Sequence, residues 1–267
     1  MKNPPTIAVF DSGFGGLTVL RALLRLIPDA RYIYLGDTAR LPYGSKSRET
    51  IVRYALSSAH FLLDQGADLY VVACNTASAL ALDELREDLP IPTIGVIEPG
   101  AQAAQTAQPN ADVLVLATAA TVQSHAYARA LNNLGLHAHE KACPLLVPLV
   151  EEGWIDHPVT NEVLRIYLAE AFAEAPDAST LVLGCTHYPL LQPAIERALA
   201  ALGHPLRIID AAQAAAEAAS ALLPDHPTTG TPSCTFYATD SVEKFQRLGS
   251  GFLGQALPEV HLLDLGG

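Results

Sequence analysis

Two cysteines carry the strongest chemical signal in this chain. Cys74 closes the apolar run Leu69-Tyr70-Val71-Val72-Ala73 and is followed by Asn75-Thr76-Ala77-Ser78; Cys185 closes Leu181-Val182-Leu183-Gly184 and is followed by Thr186-His187-Tyr188-Pro189. Each therefore stands where a strand pattern gives way to a helical one, and a helix N-terminus favours thiolate there, which predicts a lowered thiol pKa. A free cysteine is more often a small buried hydrophobe. That plainer reading fits Cys143 and Cys234, which lack the hydrogen-bonding neighbours that follow the other two. Two matched thiols suit proton transfer at carbon: a thiolate takes hydrogen from one face of a carbon acid, a thiol delivers another to the opposite face, and the stereocentre inverts. The rival is one nucleophilic cysteine with His187 as its base, as in a hydrolase or acyltransferase. It leaves Cys74 without a task.

A third cluster lies near the start, in Phe10-Asp11-Ser12-Gly13-Phe14-Gly15-Gly16-Leu17. Its glycines permit tight turns and expose amide N–H groups, but the spacing matches neither the dinucleotide fingerprint nor the Walker loop. Asp11 would also repel phosphate. A carboxylate and a hydroxyl beside a glycine turn are better suited to holding an ammonium group, the alternative being that Asp11 or Ser12 only caps the next helix. Pyridoxal chemistry would need a Schiff-base lysine. The lysines are Lys2, Lys46, Lys141 and Lys244, none in a recognisable phosphate-binding context, so the expected mechanism uses no cofactor. The four cysteines form no C-x-x-C pair, so no metal site is expected and the thiols are read as free.

Positioning these groups requires a βα framework. Short aliphatic runs alternate with stretches of helical period, which predicts an α/β fold of βα units with mainly parallel strands, as one large domain or two smaller ones. Strands are expected at 6–10, 32–36, 69–73, 93–96, 113–117, 180–184, 207–210 and 235–238. Helices are expected at 17–26, 48–65, 78–88, 124–134, 161–174, 193–202 and 211–223. Gly95-Val96-Ile97-Glu98-Pro99-Gly100 reads as a strand end crossing between lobes, and the Pro-, Thr- and Gly-rich segment 224–233 as a turn.

Half of the 267 residues are hydrophobic and 16% are charged, which excludes a disordered chain. The formal charge of −12 repels a phosphate backbone, so nucleic acid is not an expected partner. No signal-peptide pattern and no run of about 18 apolar residues occurs, which predicts a cytoplasmic protein without a membrane span.

Four motifs together resemble the aspartate/glutamate racemase superfamily, and within it the cofactor-independent glutamate racemases. They are Asp11-Ser12-Gly13-Phe14-Gly15-Gly16-Leu17, Asp37-Thr38-Ala39-Arg40-Leu41-Pro42-Tyr43-Gly44, Ala73-Cys74-Asn75-Thr76-Ala77-Ser78 and Gly184-Cys185-Thr186-His187-Tyr188-Pro189. The resemblance implies interconversion of L- and D-glutamate, with Cys74 acting on the D-isomer and Cys185 on the L-isomer. It implies helper roles for Asp11, His187 and Glu152, the last chosen over its neighbour Glu151. It implies substrate contacts from Asp11, Ser12, Tyr43, Gly44, Asn75, Thr76, Thr186 and His187, with Pro42 shaping the wall. Where the family often shows Gly-Thr-x-Ala-Thr, this chain has Ala117-Thr118-Ala119-Ala120-Thr121; only the glycine is lost, and Thr118 and Thr121 remain available to a carboxylate. Together with the βα pattern, the resemblance further implies two doubly wound lobes with mainly parallel sheets and a cleft between them, one discontinuous (1–97 plus 208–267) and one of 98–207, as well as a homodimer and a supply of D-glutamate to peptidoglycan. Aspartate or hydantoin racemisation within the superfamily, and a non-catalytic two-lobed binding protein, are the alternatives.

Overall fold

The computed structural model describes residues 4–223 and 230–266. Six strands and their helices open the chain's order: β1 (Thr6–Asp11), α1 (Leu17–Leu26), β2 (Arg31–Gly36), α2 (Arg48–Asp64), β3 (Leu69–Val72), α3 (Asn75–Asp88), β4 (Thr93–Gly95), α4 (Ile97–Ala107), β5 (Asp112–Ala117), α5 (Ala119–Ser124), α6 (Ala126–Asn133) and β6 (His137–Ala142). There follow α7 (Leu146–Glu151), α8 (Pro158–Glu174), β7 (Thr180–Gly184), α9 (Gln192–Ala201), β8 (Arg207–Asp210), α10 (Ala211–Leu222), β9 (Ser233–Ala238), α11 (Val242–Leu253) and β10 (Val260–Leu262).

These strands form two sheets, ordered β10-β9-β2-β1-β3-β4 and β6-β5-β7-β8, and every pairing is parallel. Central strands β1, β3 and β7 are buried along their whole length, as the unbroken apolar runs require when helices cover both faces. In the first sheet the chain leaves β1 toward β2 and later returns to its other side with β3; in the second, β5 is flanked in the same way by β6 and β7. Such switch points open a crevice at the carboxyl ends of the strands. Asp11 ends β1, Cys74 follows β3, Thr118 follows β5 and Cys185 follows β7. The chemistry-bearing motifs thus converge from both sheets.

Two crossings join the sheets. The first is not the bare connector expected at 95–100: helix α4 begins at Ile97, with Pro99 in its first turn, where a missing N–H costs nothing. The second comes later than expected, because Arg207–Asp210 pairs with β7 and the chain returns to the first sheet's layer only through α10. The buried face of α10 is five alanines, Ala211, Ala212, Ala215, Ala216 and Ala219, and it packs against both α1 and α4. Small side chains let these helices approach closely, and one apolar core runs through the contact. Strands β6 and β10 and helices α7 and α11 were not expected. The helix expected at 124–134 is broken at His125, whose φ of 54° separates α5 from α6. Part of the turn expected at 224–233, residues 224–229, lies outside the described residues. No helix among the described residues is long and apolar enough to cross a membrane.

Candidate active site

The carboxyl ends of the two sheets enclose a cavity of about 400 Å³. That is small for a ligand pocket, whose common range is about 300–1,000 Å³, and suits a small metabolite. The first sheet contributes Ser12, the Pro42-Tyr43-Gly44 turn and Cys74-Asn75-Thr76; the second contributes Thr118, Glu151, Glu152 and Cys185-Thr186-His187, with Pro144 and Val147 closing one wall. No lysine or arginine is among these lining residues. An anionic ligand group would be received by hydroxyls, amides and backbone N–H groups instead.

Cys74 is the N-cap of α3: its sulfur accepts from the Ala77 N–H at 3.5 Å and its thiol donates to Ser12 Oγ at 3.5 Å. The expected junction is present, but the expected lowering of the pKa is not. Burial, followed by the charge of nearby Asp11, pushes the Cys74 thiol up to about 11. Burial raises Cys185 further still, against the backbone N–H of His187. A helix terminus contributes up to roughly 2 kcal/mol toward a charge, whereas burying an ion costs several, so desolvation wins at these buried sulfurs.

Beside Cys185 stands an oriented histidine. His187 Nδ1 lies 3.9 Å from the sulfur, and Nε2 lies 3.3 Å from Glu151 Oε1. With Nε2–H donating to the carboxylate, the Nδ1 lone pair faces the thiol and can take its proton. Burial pushes Glu151 up, but the hydrogen bond from His187, with Lys244 at 3.4 Å from Oε2, outweighs it and holds the carboxyl below its usual range. Glu152 is the residue expected beside the second thiol. Glu152 lines the cavity, yet the carboxylate on His187 belongs to Glu151, the last residue of α7.

Two more expected contacts sit one layer back. Asp11 is fully buried and does not line the cavity: Oδ2 accepts from Gly13 N–H at 2.9 Å and Oδ1 from Thr186 Oγ at 3.5 Å, and burial raises its pKa. Its charge is felt by both thiols. Thr121 is likewise buried, with its hydroxyl 3.0 Å from Thr118 and 3.3 Å from Thr76, so a hydroxyl cluster bridges the two sheets. Tyr43 lines the wall, but its hydroxyl donates to Asp37 Oδ2 at 2.5 Å and is not directed to a ligand. Tyr127 was not foreseen. Its hydroxyl donates to Asn75 Oδ1 at 2.7 Å, which leaves the amide nitrogen as the free end.

The model of the Asp/Glu/Hydantoin racemase family matches residues 16–219. The chain belongs to that family. Among this racemase's relatives, a protein named glutamate racemase from Koribacter versatilis is 50% identical, covering 100% of this chain and 99% of the relative. The crystal structure of glutamate racemase isoform RacE1 from Bacillus anthracis superposes with a TM-score of 0.91 at 36% identity, covering 99% of each chain. A glutamate racemase from Francisella tularensis, solved in complex with D-glutamate, gives a TM-score of 0.88 at 36% identity, also over 99% of each chain. The matched range of the racemase family includes both Cys74 and Cys185.

Proposed function

We propose that this chain interconverts L- and D-glutamate without a cofactor, by two opposed thiols. The observation that carries the reading is that Cys74 and Cys185, supplied by different sheets, line one small cavity. In the direction from the L-isomer, Cys185 passes its proton to His187 Nδ1 and the thiolate removes the hydrogen on Cα. The Cys74 thiol then delivers its proton to the opposite face. This leaves Cys74 as thiolate, ready for the reverse direction. Ser12, with Asp11 behind it, receives the ammonium group. Asn75, Thr76, Thr118 and Thr186 receive the carboxylates, supported by the N-terminus of α3.

Removing a hydrogen from Cα is slow in water, and the barrier falls when the reacting atoms are held in line in a dry site. The reading therefore treats the two sheets with their helices as lobes that close over glutamate. A homodimer in the cytoplasm, supplying D-glutamate for peptidoglycan, completes the proposal.

Solvent exchange tests the substrate. In D2O, both glutamate enantiomers should acquire deuterium at Cα as they interconvert, and aspartate should not. Faster exchange of aspartate overturns the choice of substrate, and no exchange with either glutamate enantiomer leaves a binding protein. A paired substitution tests the helper. Glu151→Gln should lower turnover on the order of 10²-fold, while Glu152→Gln changes it by no more than about twofold. The reverse order in steady-state rates would restore Glu152 to that role.

A further inference from the structure

Helix α11 brings one charged side chain from the first sheet's layer to the edge of the site without making it part of the cavity wall. Lys244 Nζ lies 3.4 Å from Glu151 Oε2, while the other oxygen of the same carboxylate faces His187. Each oxygen of Glu151 thus has one partner, and the two partners come from different sheets. Lys244 is itself placed: its ammonium lies 5.6 Å from the centroid of the Phe14 ring, and Phe14 packs against His187 and against Phe252 of the same helix. Phe252 meets His187 edge-on at 5.1 Å. One face of α11 therefore sets both the imidazole ring and the carboxylate that orients it.

We propose that Lys244 is a positioning residue for the Cys185 half of the reaction, holding Glu151 against His187 across the boundary between the two sheets. The inference rests on the racemase reading above. Among the described residues Lys244 has no counterpart on the other side: Cys74 is held by Ser12 and the Ala77 N–H, and its charged neighbour is Asp11. Nor is stability the benefit. The Lys244 side chain is 44% exposed, and ion pairs of such residues contribute little, whereas the Glu151 side chain is only 17% exposed and has few other ways to be fixed. Loss of the ammonium frees one carboxylate oxygen, and the imidazole then loses its fixed approach to the sulfur.

Because a racemase has an equilibrium constant of one, kcat/KM must fall equally in both directions, so a slower variant alone does not locate the defect. Isotope effects do. For Lys244→Met, kcat/KM should fall on the order of tenfold. The primary isotope effect on kcat/KM should rise with α-deuterated L-glutamate, where Cys185 removes the hydrogen, and decrease with α-deuterated D-glutamate, where Cys74 does. Lys244→Arg should restore the rate and both isotope effects, and the melting temperature of each variant should stay within about 2 °C of the native chain. Native kcat/KM in Lys244→Met, or a slower variant with both isotope effects unchanged, overturns the assignment. Failure of the native chain itself to racemise glutamate overturns the underlying function, and a native chain that turns over keeps the two failures apart.

Discussion

Cys74→Ala and Cys185→Ala should each abolish interconversion of the glutamate enantiomers, by at least about 10³-fold, in a chain that remains folded. On the proposed mechanism each sulfur moves hydrogen on its own side of the cavity: Ser12 and the α3 N-terminus surround one, His187 and Glu151 the other. Asp11 lies outside the cavity wall, and His187, although it lines the cavity, is engaged by Cys185 on one side and Glu151 on the other. The loss of structure should be small. A buried cysteine truncated to alanine costs on the order of 1 kcal/mol, or about 2–4 °C in melting temperature for a chain of this size. Cys143→Ala supplies the comparison: its sulfur is fully buried, donates to the Lys141 carbonyl at 3.6 Å and does not line the cavity. It should lose similar stability and keep full turnover. Optical rotation of glutamate against time reads the first quantity and thermal circular dichroism the second. Full turnover in either thiol variant would leave the two-base scheme untenable. A folded but inactive Cys143→Ala would mean that the wrong sulfurs had been chosen.

The strands that carry these thiols were legible because they are buried on both faces and so read as unbroken apolar runs. Strand β6 was not, because His137-Ala138-His139-Glu140-Lys141-Ala142 is a half-exposed edge whose polar residues hide its period. Strand β10 has only three residues to show. Helix α4 was hidden by Pro99 and Gly100, a pair that ordinarily marks a turn. Here the proline sits in the first helical turn, and the glycine lets α4 approach α10, where a Cβ would come within 3.1 Å of Ala211. Helix α11 was diluted by Gly249 and Gly251, and with it went Lys244 and Phe252.

Within the site, residue types on the motifs could be read, but their depth could not. Asp11 and Thr121 belong to the right clusters and stand one layer behind the wall. Glu151 and Glu152 differ by about 100° around a helix, and the six residues of α7 are too few for the sequence to fix that phase. The raised thiol pKa values were invisible for the same reason: they come from enclosure by both sheets, which no single motif records.

Gly15→Ala should be the second most damaging substitution, although Gly15 does not line the cavity. The sequence suggested that its loop serves conformational freedom, yet Gly15 is not in the left-handed region. Its hydrogen is needed for proximity. A Cβ there would fall on Thr186 Oγ and come within 2.6 Å of His187 Nδ1, the nitrogen that faces Cys185. Real side chains do not approach so closely, so either the loop or the Thr186-His187 pair must move. The loop is held by Asp11, which accepts from Gly13 N–H, and by Gly16, where a Cβ would lie 2.5 Å from that of Asp11. The pair must therefore yield, and a displacement of about 1 Å at a catalytic group costs on the order of 10²-fold in kcat/KM. Overpacking should also remove about 1–3 kcal/mol of stability. Gly251→Ala makes the contrast: no atom stands near its would-be Cβ, and alanine is the better helix former by about 1 kcal/mol, so turnover should persist and melting should not fall. Steady-state kinetics on both variants decide the matter. If Gly15→Ala turned over like the native chain, the contact between the first loop and His187 would have no part in placing the imidazole.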